Sequence, residues 1–496
     1  MKRRPIPHSM MAVIAILLLA LAGCTPTPEN VTKSNALPPM YPDYIDITMP
    51  CNIAPLNFLV RDDHCEAVQV EARHCDLMPE YEEETAITLL NKGNEAIFDI
   101  DEWKKLIHHV GNIEVKVTAL INGTWMEYKP FFWHVTDSID SHLTYRLIEP
   151  DYEIYQNLTL QERCLENFDE RSISHYGLVG NRCMNCHTYA NRQSGLSMLY
   201  VRGEGGGAIL NRDGQLTKLN IKTDGMVSGS VYFGFSKSGR YITFSTNVII
   251  PAFHAMPRKR LEVFDRASDV YVADLETNTI ISSALLSDSL AFETFPTFSP
   301  DGKYIYFCSA PPTTLPDGLK EMRYSLCRIA FDENTGTIGT EVDTLFNGRE
   351  KGLSVCHPRV SPDGSHLVFT VADYGTFPIW HQESDLRMLD LQTGETDEMR
   401  IVNSAKSDTY HSWSSNSRWL VFASKRDDGL FGKPYFCYVD RRGKAHKPFV
   451  LPQKDPHFYD YNLKSFNAPE LGNGRLPFDA HDVKDALEGK AVDFKN

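Results

Sequence analysis

Four segments of this sequence repeat one design: FGFSKSGRYITFS at 233–245, PTFSPDGKYIYFC at 296–308, PRVSPDGSHLVFT at 358–370 and HSWSSNSRWLVFA at 411–423. Aligned on Ser236, Ser299, Ser361 and Ser414, they lie 63, 62 and 53 residues apart, room for four short strands and their loops in each unit. Pro300-Asp301-Gly302 and Pro362-Asp363-Gly364 specify tight turns, in which proline presets φ, aspartate caps the turn and glycine takes the left-handed position. The strands that follow, Tyr304 to Phe307 and Leu367 to Phe369, are apolar on both faces. Such strands belong to a sheet covered on both sides, as a blade stacked between two others is, and not to a half-exposed hairpin. Later strands, Ser268 to Leu275 and Ser384 to Leu391, match each other as well.

These motifs resemble the TolB-like, WD-type β-propeller family, whose blades carry a Ser-Pro-Asp-Gly turn followed by an aromatic-rich strand; the resemblance covers roughly half of the chain. Two turns depart from it, since Ser236-Lys237-Ser238-Gly239 lacks proline and aspartate and Ser414-Ser415-Asn416-Ser417 also lacks the glycine. Met198 to Ile221, with a hairpin at Asp213-Gly214, offers another blade. The resemblance therefore implies an all-β dominated chain with a propeller of five or six blades over 195–451, followed by a tail at 452–496. There is no Gly-x-Ser-x-Gly elbow, and 45 residues after Leu451 cannot hold a hydrolase domain, which argues against a peptidase-type propeller enzyme.

At the other end, Lys2, Arg3 and Arg4 precede a twelve-residue apolar run from Met11 to Ala22. As a helix that run reaches ~18 Å, short of the ~30 Å needed to span a bilayer, so it reads as a signal peptide over residues 1–23. Leu21-Ala22-Gly23-Cys24 resembles a bacterial lipobox, which implies cleavage before Cys24 and its acylation as an anchor. Residues 24–43 then serve as a tether. Losing three basic residues takes the formal charge from -15 to -18. That balance argues against a nucleic-acid partner and suits a basic protein partner in the envelope.

Residues 44–150 read as a small, mainly β, sandwich-like domain. Trp103, Leu106, Ile107 and Val110 fall at helical spacing and predict one amphipathic helix over Ile100 to Val110. Ile113 to Ile121 and Thr124 to Val135 flank Asn122-Gly123, the signature of a type I′ hairpin. Leu143 to Ile148 is expected as the last strand of that domain, and Asn157 to Ser172 as a short amphipathic helix carrying Leu160, Cys164, Leu165 and Phe168. Residues 151–194 would then be a helical or loop segment leading into one chemically loaded motif.

That motif is Cys183-Met184-Asn185-Cys186-His187, the Cys-x-x-Cys-His pattern of c-type haem attachment. Two cysteines three positions apart can each add to one porphyrin vinyl group, and the next histidine is then placed as an iron ligand. The five residues resemble c-type cytochromes and imply one haem c, with Cys183 and Cys186 as thioether anchors and His187 as proximal ligand. A redox disulfide between the two cysteines and a structural zinc site are the competing readings; the first lacks a surrounding βαβ pattern and the second lacks a further ligand pair. Met198, eleven residues beyond His187, is the first candidate for a distal ligand, with core packing as its alternative role; His175, Met226, His254 and Met256 are further candidates.

Phe377-Pro378-Ile379-Trp380-His381 and Tyr410-His411-Ser412-Trp413 bring aromatic and histidine side chains to positions that in propellers gather near the central channel, where they bind a ligand or pack blades. Arg258-Lys259-Arg260 reads as a solvated loop. Among the other cysteines, Cys51, Cys65, Cys75 and Cys164 have access to disulfide formation in an oxidising compartment, whereas Cys308, Cys327, Cys356 and Cys437 read as small buried hydrophobes. The functional expectation is an envelope lipoprotein on the periplasmic side of an outer membrane, touching the membrane through its anchor only. It would transfer electrons through one haem c, with the propeller docking a redox partner. A binding or scaffolding lipoprotein with a sensory or structural haem, and a haem-dependent oxidoreductase, remain as alternatives.

Overall fold

The structure, a computed structural model, describes residues 27–76, 85–150, 157–253, 261–287 and 290–496, without the side chains of Asn185, Cys186, Ala252, Phe253 and Leu261. Cys24, His254, Met256 and Arg258-Lys259-Arg260 lie outside the described residues. No helix of the described chain is long and apolar enough to cross a membrane.

Six sheets are arranged as blades around one axis. Blade 1 runs outward through Met184–Tyr189, Leu196–Val201, Gly207–Arg212 and Gln215–Asn220. Blade 2 uses Ser230–Phe235, Tyr241–Phe253, Leu261–Asp274 and Thr279–Ile281, and blade 3 uses Phe292–Phe298, Tyr304–Ala310, Ser325–Asp332 and Thr337–Phe346. Blade 4 consists of Ser354–Val360, His366–Ala372, Asp385–Asp390 and Thr396–Asp397; blade 5 consists of Asp408–Trp413, Trp419–Ser424, Lys433–Tyr438 and Phe449–Val450. Blade 6 is composite. Its innermost strand, Ser465–Gly472, comes from the C-terminal region and pairs antiparallel with His142–Ile148, followed outward by Thr159–Cys164 and Glu170–His175. Each innermost strand contacts those of both neighbouring blades, so the ring is closed.

Three sequence expectations change here. His142–Ile148 is a propeller strand and not the last strand of the N-terminal domain. The segment expected as an amphipathic helix at 157–172 forms the two outer strands of blade 6, because its apolar residues are needed on a sheet covered by blade 1 and by the helix Ala480–Glu488. The region 452–496 is not a tail: it supplies the inner strand of blade 6, that helix, and Val492–Asp493, which extends blade 1 in parallel with Gln215–Asn220.

The turn chemistry explains why the divergent repeats still form blades. In blades 2 to 5 the serine N–H donates to the carbonyl five residues on, from Ser236 to Tyr241, Ser299 to Tyr304, Ser361 to His366 and Ser414 to Trp419, each at 2.8 Å. Gly239, Gly302 and Gly364 take positive φ, and Ser417 does so in glycine's place at 61°. Ser414 Oγ bonds to Asn416, as Ser299 Oγ does to Asp301, so asparagine substitutes for the turn aspartate. Cys308, Cys327, Cys356 and Cys437 are buried in these blades as expected.

The N-terminal domain is a seven-stranded sheet built around Gly111–Ile121, with a three-stranded sheet and the helix Ile100–Ile107 beside it. The Asn122-Gly123 hairpin forms between Gly111–Ile121 and Thr124–Glu127. Asp99 caps the helix, which buries Trp103, Leu106 and Ile107 but ends before Val110; that side chain is 64% exposed. The domain shares one continuous apolar core with blade 5. Across the join, Trp419 Nε1 donates to the Asp137 carbonyl at 3.0 Å, and Ser415 Oγ donates to Asp140 at 2.6 Å. Cys51, Cys65, Cys75 and Cys164 are all unpaired thiols.

Candidate functional site

The same irregularity recurs on the innermost strand of every blade. Two consecutive residues there oppose a single residue of the second strand, a β-bulge. The pairs are Cys186/His187 opposite Leu199, Tyr232/Phe233 opposite Phe244, Phe295/Pro296 opposite Phe307, His357/Pro358 opposite Phe369, Tyr410/His411 opposite Phe422 and Ala468/Pro469 opposite Tyr145. The Cys-x-x-Cys-His motif is therefore not on a loop before the propeller. Its last four residues enter the innermost strand of blade 1, with Cys186 and His187 at the bulge.

The two bulge positions do different things. At the first, Tyr232, Phe295, His357, Tyr410 and Ala468 have φ between 46° and 55°, which turns the side chain out of the regular alternation of the strand. Four of these side chains converge on the axis: ring centroids are 4.5 Å apart for Tyr232 and Phe295, 4.1 Å for Phe295 and His357, and 4.7 Å for His357 and Tyr410. Tyr232 and His357, from non-adjacent blades, also meet at 6.0 Å. Ala468 holds the equivalent backbone position in blade 6, and Cys186 holds it by strand register in blade 1.

At the second position the side chain enters the seam with the preceding blade. His411 Nε2–H donates to the Val368 carbonyl of blade 4 at 2.8 Å, and burial lowers its pKa to about 3. His187 holds the equivalent place in blade 1. By register, Thr144 of blade 6 is the counterpart of Val368. Unlike His411, His187 makes no hydrogen bond of normal geometry at either ring nitrogen, although its side chain is buried. Burial lowers its pKa to about 4; the Glu470 carboxylate and the Thr144 backbone oppose that fall, and Arg146 adds to it. The imidazole is thus neutral at physiological pH, the form that binds metal.

A covalent haem asks for two thiols and an axial nitrogen, and the donor chemistry fits. Cys183 is a partly exposed free thiol just before the strand, its carbonyl tied to the Arg202 N–H at 2.8 Å. His187 is neutral and meets the Thr144 backbone only in a loose geometry. The space beside the imidazole is small. His187, Thr144, Met198 and Asn211 line a cavity of about 10 Å³, room for one water, whereas an organic ligand needs roughly 300 Å³ or more. Met198 reaches this cavity from the strand next to His187 and is otherwise packed in the apolar core between blades 1 and 2 with Phe233 and Phe244. Met226 belongs to the same core, and the His175 ring packs at a tilt against Tyr176, with centroids 4.3 Å apart. Of the two aromatic and histidine segments, Tyr410 joins the axial ring through His357, while His381 pairs with Glu383 at 2.9 Å and packs edge-on against Tyr374.

Sequence reasoning missed His357 as a channel residue and missed that the haem-type motif is itself part of a repeat. The signal was present. Tyr232, Phe295, His357 and Tyr410 each lie four residues before the turn serine, and Cys186 lies four before Ala190, whose N–H makes the corresponding turn bond to Leu196. Ala190 in place of serine concealed the register.

No family model and no curated protein matches this chain. Among solved structures it is similar to TolB from Acinetobacter baumannii, with TM-score 0.42 and 13% identity over 75% of this chain and 85% of that one. It is similar to hydrazine synthase from Kuenenia stuttgartiensis at TM-score 0.41 and 12% identity, covering 64% and 47% of the two chains. The periplasmic gluconolactonase PpgL from Pseudomonas aeruginosa gives TM-score 0.35 and 15% identity, covering 63% and 96%.

Proposed function

We propose that this chain is an exported, lipid-anchored redox protein whose propeller carries one haem c on the innermost strand of blade 1. Cys183 and Cys186 would hold the group through thioethers, and His187 would be its axial ligand. The observation that supports this reading is that the histidine of the Cys-x-x-Cys-His motif is buried in a seam and held there less firmly than its equivalent: His411 bonds the Val368 carbonyl at 2.8 Å, while His187 meets the Thr144 backbone only in a looser geometry. A buried polar group left wholly unsatisfied costs about 1–3 kcal/mol, and coordination would remove whatever part of that cost the loose Thr144 contact leaves. When bound, haem iron supplies a one-electron couple. The water-sized cavity beside His187 adds a condition, that the two thiols be modified before blades 6 and 1 close on the strand. The acidic surface, formally -18 once residues 1–23 are removed, suits a basic redox partner in the envelope, and Cys24 would provide the anchor.

The test is a pyridine haemochrome assay on protein purified from cells that have cytochrome c maturation machinery. One haem per chain, retained after acid-acetone extraction and lost in Cys183→Ala/Cys186→Ala, is the expected result. Absence of covalent haem overturns the reading.

A second reading, a binding or scaffolding propeller without redox chemistry, draws on the same pair of histidines. His411 demonstrates that blade geometry alone can place a histidine in this seam, so His187 would be its structural counterpart. Partner capture unchanged in His187→Ala, together with no redox signal, favours this second reading.

A further inference from the structure

The seam that holds His187 brings two opposite charges to it. Glu470, on the innermost strand of blade 6, is the register partner of Thr144, whose Oγ1 donates to the Glu470 carbonyl at 3.3 Å. Thr144 meets blade 1 twice. Its backbone faces His187, and its Oγ1 accepts from Tyr189 OH, two residues further along the motif strand, at 3.2 Å. Glu470 is 5% exposed, and its carboxylate reaches the turn after that strand by accepting from Arg192 Nη1 at 2.7 Å. Arg146 stands two residues beyond Thr144, on the same face of its strand, and its Nε donates to Asn467 Oδ1 of the innermost strand at 3.1 Å. After burial, the largest influences on the charge of the His187 imidazole are Glu470, which favours the positive form, and Arg146, which opposes it.

Charges in such places matter most where something beside them changes charge. An iron centre carries one more positive charge oxidised than reduced, and an imidazole that ligates it lies next to that change. In a seam closed to water a nearby anion is weakly screened and favours the more positive state, whereas a nearby cation favours the less positive one. We propose, resting on the haem reading given above, that Glu470 and Arg146 set the reduction potential of the group that His187 would hold, Glu470 lowering it and Arg146 raising it. Arg192 of blade 1 and Ser412 of blade 5 already hold the Glu470 carboxylate in place, so it needs no movement to exert this effect.

The experiment is a spectroelectrochemical titration of the haem band in the full chain, purified from cells with cytochrome c maturation machinery, for the wild type, Glu470→Gln and Arg146→Gln. Glutamine keeps hydrogen-bonding capacity at each place and removes the charge. At a fixed applied potential, Glu470→Gln should shift the ratio of oxidised to reduced haem about tenfold towards reduced, a rise of ~59 mV for a one-electron couple, and Arg146→Gln should shift it the other way. Opposite signs separate charge from packing, because a loosened seam would admit water and move both variants in one direction. If Glu470→Gln does not fold, Arg146→Gln and Arg146→Lys decide: a potential lowered in the first and restored in the second, which keeps the charge, supports the proposal. Covalent haem whose potential is unchanged in the charge-removing variants, or moves in the same direction in both, overturns this proposal and leaves the haem reading standing. Absence of covalent haem from the wild type overturns both.

Discussion

Glu470, on the innermost strand of blade 6, accepts a hydrogen bond from Arg192 Nη1 of the turn after the innermost strand of blade 1 at 2.7 Å, and joins the two chain regions whose meeting closes the ring. The same carboxylate accepts from Ser412 Oγ of blade 5 at 3.0 Å and lies 3.9 Å from Arg359 of blade 4. One side chain therefore connects four blades from the C-terminal strand.

Removing one partner of such a pair leaves the other charge buried and uncompensated. Glu470→Ala should cost about 3–5 kcal/mol in a urea titration. A loss below ~1 kcal/mol would mean that strand pairing alone holds the closure and that the ion pair is incidental.

The composite sixth blade makes the C-terminal region indispensable. Deleting residues 465–496 exposes the edge of His142–Ile148 along its length and removes the strand that meets blades 1 and 5. The truncated chain should aggregate or elute as an expanded species in size-exclusion chromatography. A compact monomer with full-length near-UV circular dichroism would contradict this.

The seam histidines set a pH dependence with a definite sign. His187 and His411 have folded pKa values lowered to about 4 and about 3 by burial, against about 6.5 in the unfolded chain. The unfolded state therefore binds the extra proton, and stability is lost as pH falls below 6.5 towards the folded values. Asp265 works in the opposite direction: its raised pKa gives stability below about 4 that is lost as pH rises through 7. The clean readout is thus the wild-type curve minus that of each variant. Replacing His411, which the proposed haem site does not use, by glutamine should reduce the acid-side slope by about 1.4 kcal/mol per pH unit between pH 6 and 5. Parallel curves would exclude burial of a neutral imidazole.

Order of assembly provides a test of the proposed haem site. Once blades 6 and 1 have closed, the cavity beside His187 has room for about one water. Chain refolded without haem should then fail to acquire covalent haem when the attachment machinery and reduced haem are added, whereas co-expression with that machinery should load it. Equal loading by both routes would show that the seam opens readily in the folded protein.

Much of this molecule is determined by local sequence. The Ser-Pro-Asp-Gly turns and the doubly apolar strands after them specify blades, and Asn122-Gly123 specifies its hairpin, because turn φ values and side-chain alternation are properties of a few consecutive residues. Asp99 and the Trp103, Leu106, Ile107 stripe specify a helix for the same reason. The Cys-x-x-Cys-His spacing is equally local. What local residues could not decide is which elements complete one another. Thr159–Cys164 and Glu170–His175 are strands because a strand more than 300 residues later supplies the inner edge of their sheet. Ring closure also turned a five-or-six choice into six blades. It gathered Tyr232, Phe295, His357 and Tyr410 at the axis, gave Cys186 the matching register position on its strand, and set His187 in the seam facing Thr144. Those placements follow from a bulge repeated in six blades and from burial between neighbours, both of which exist only when the circle is complete.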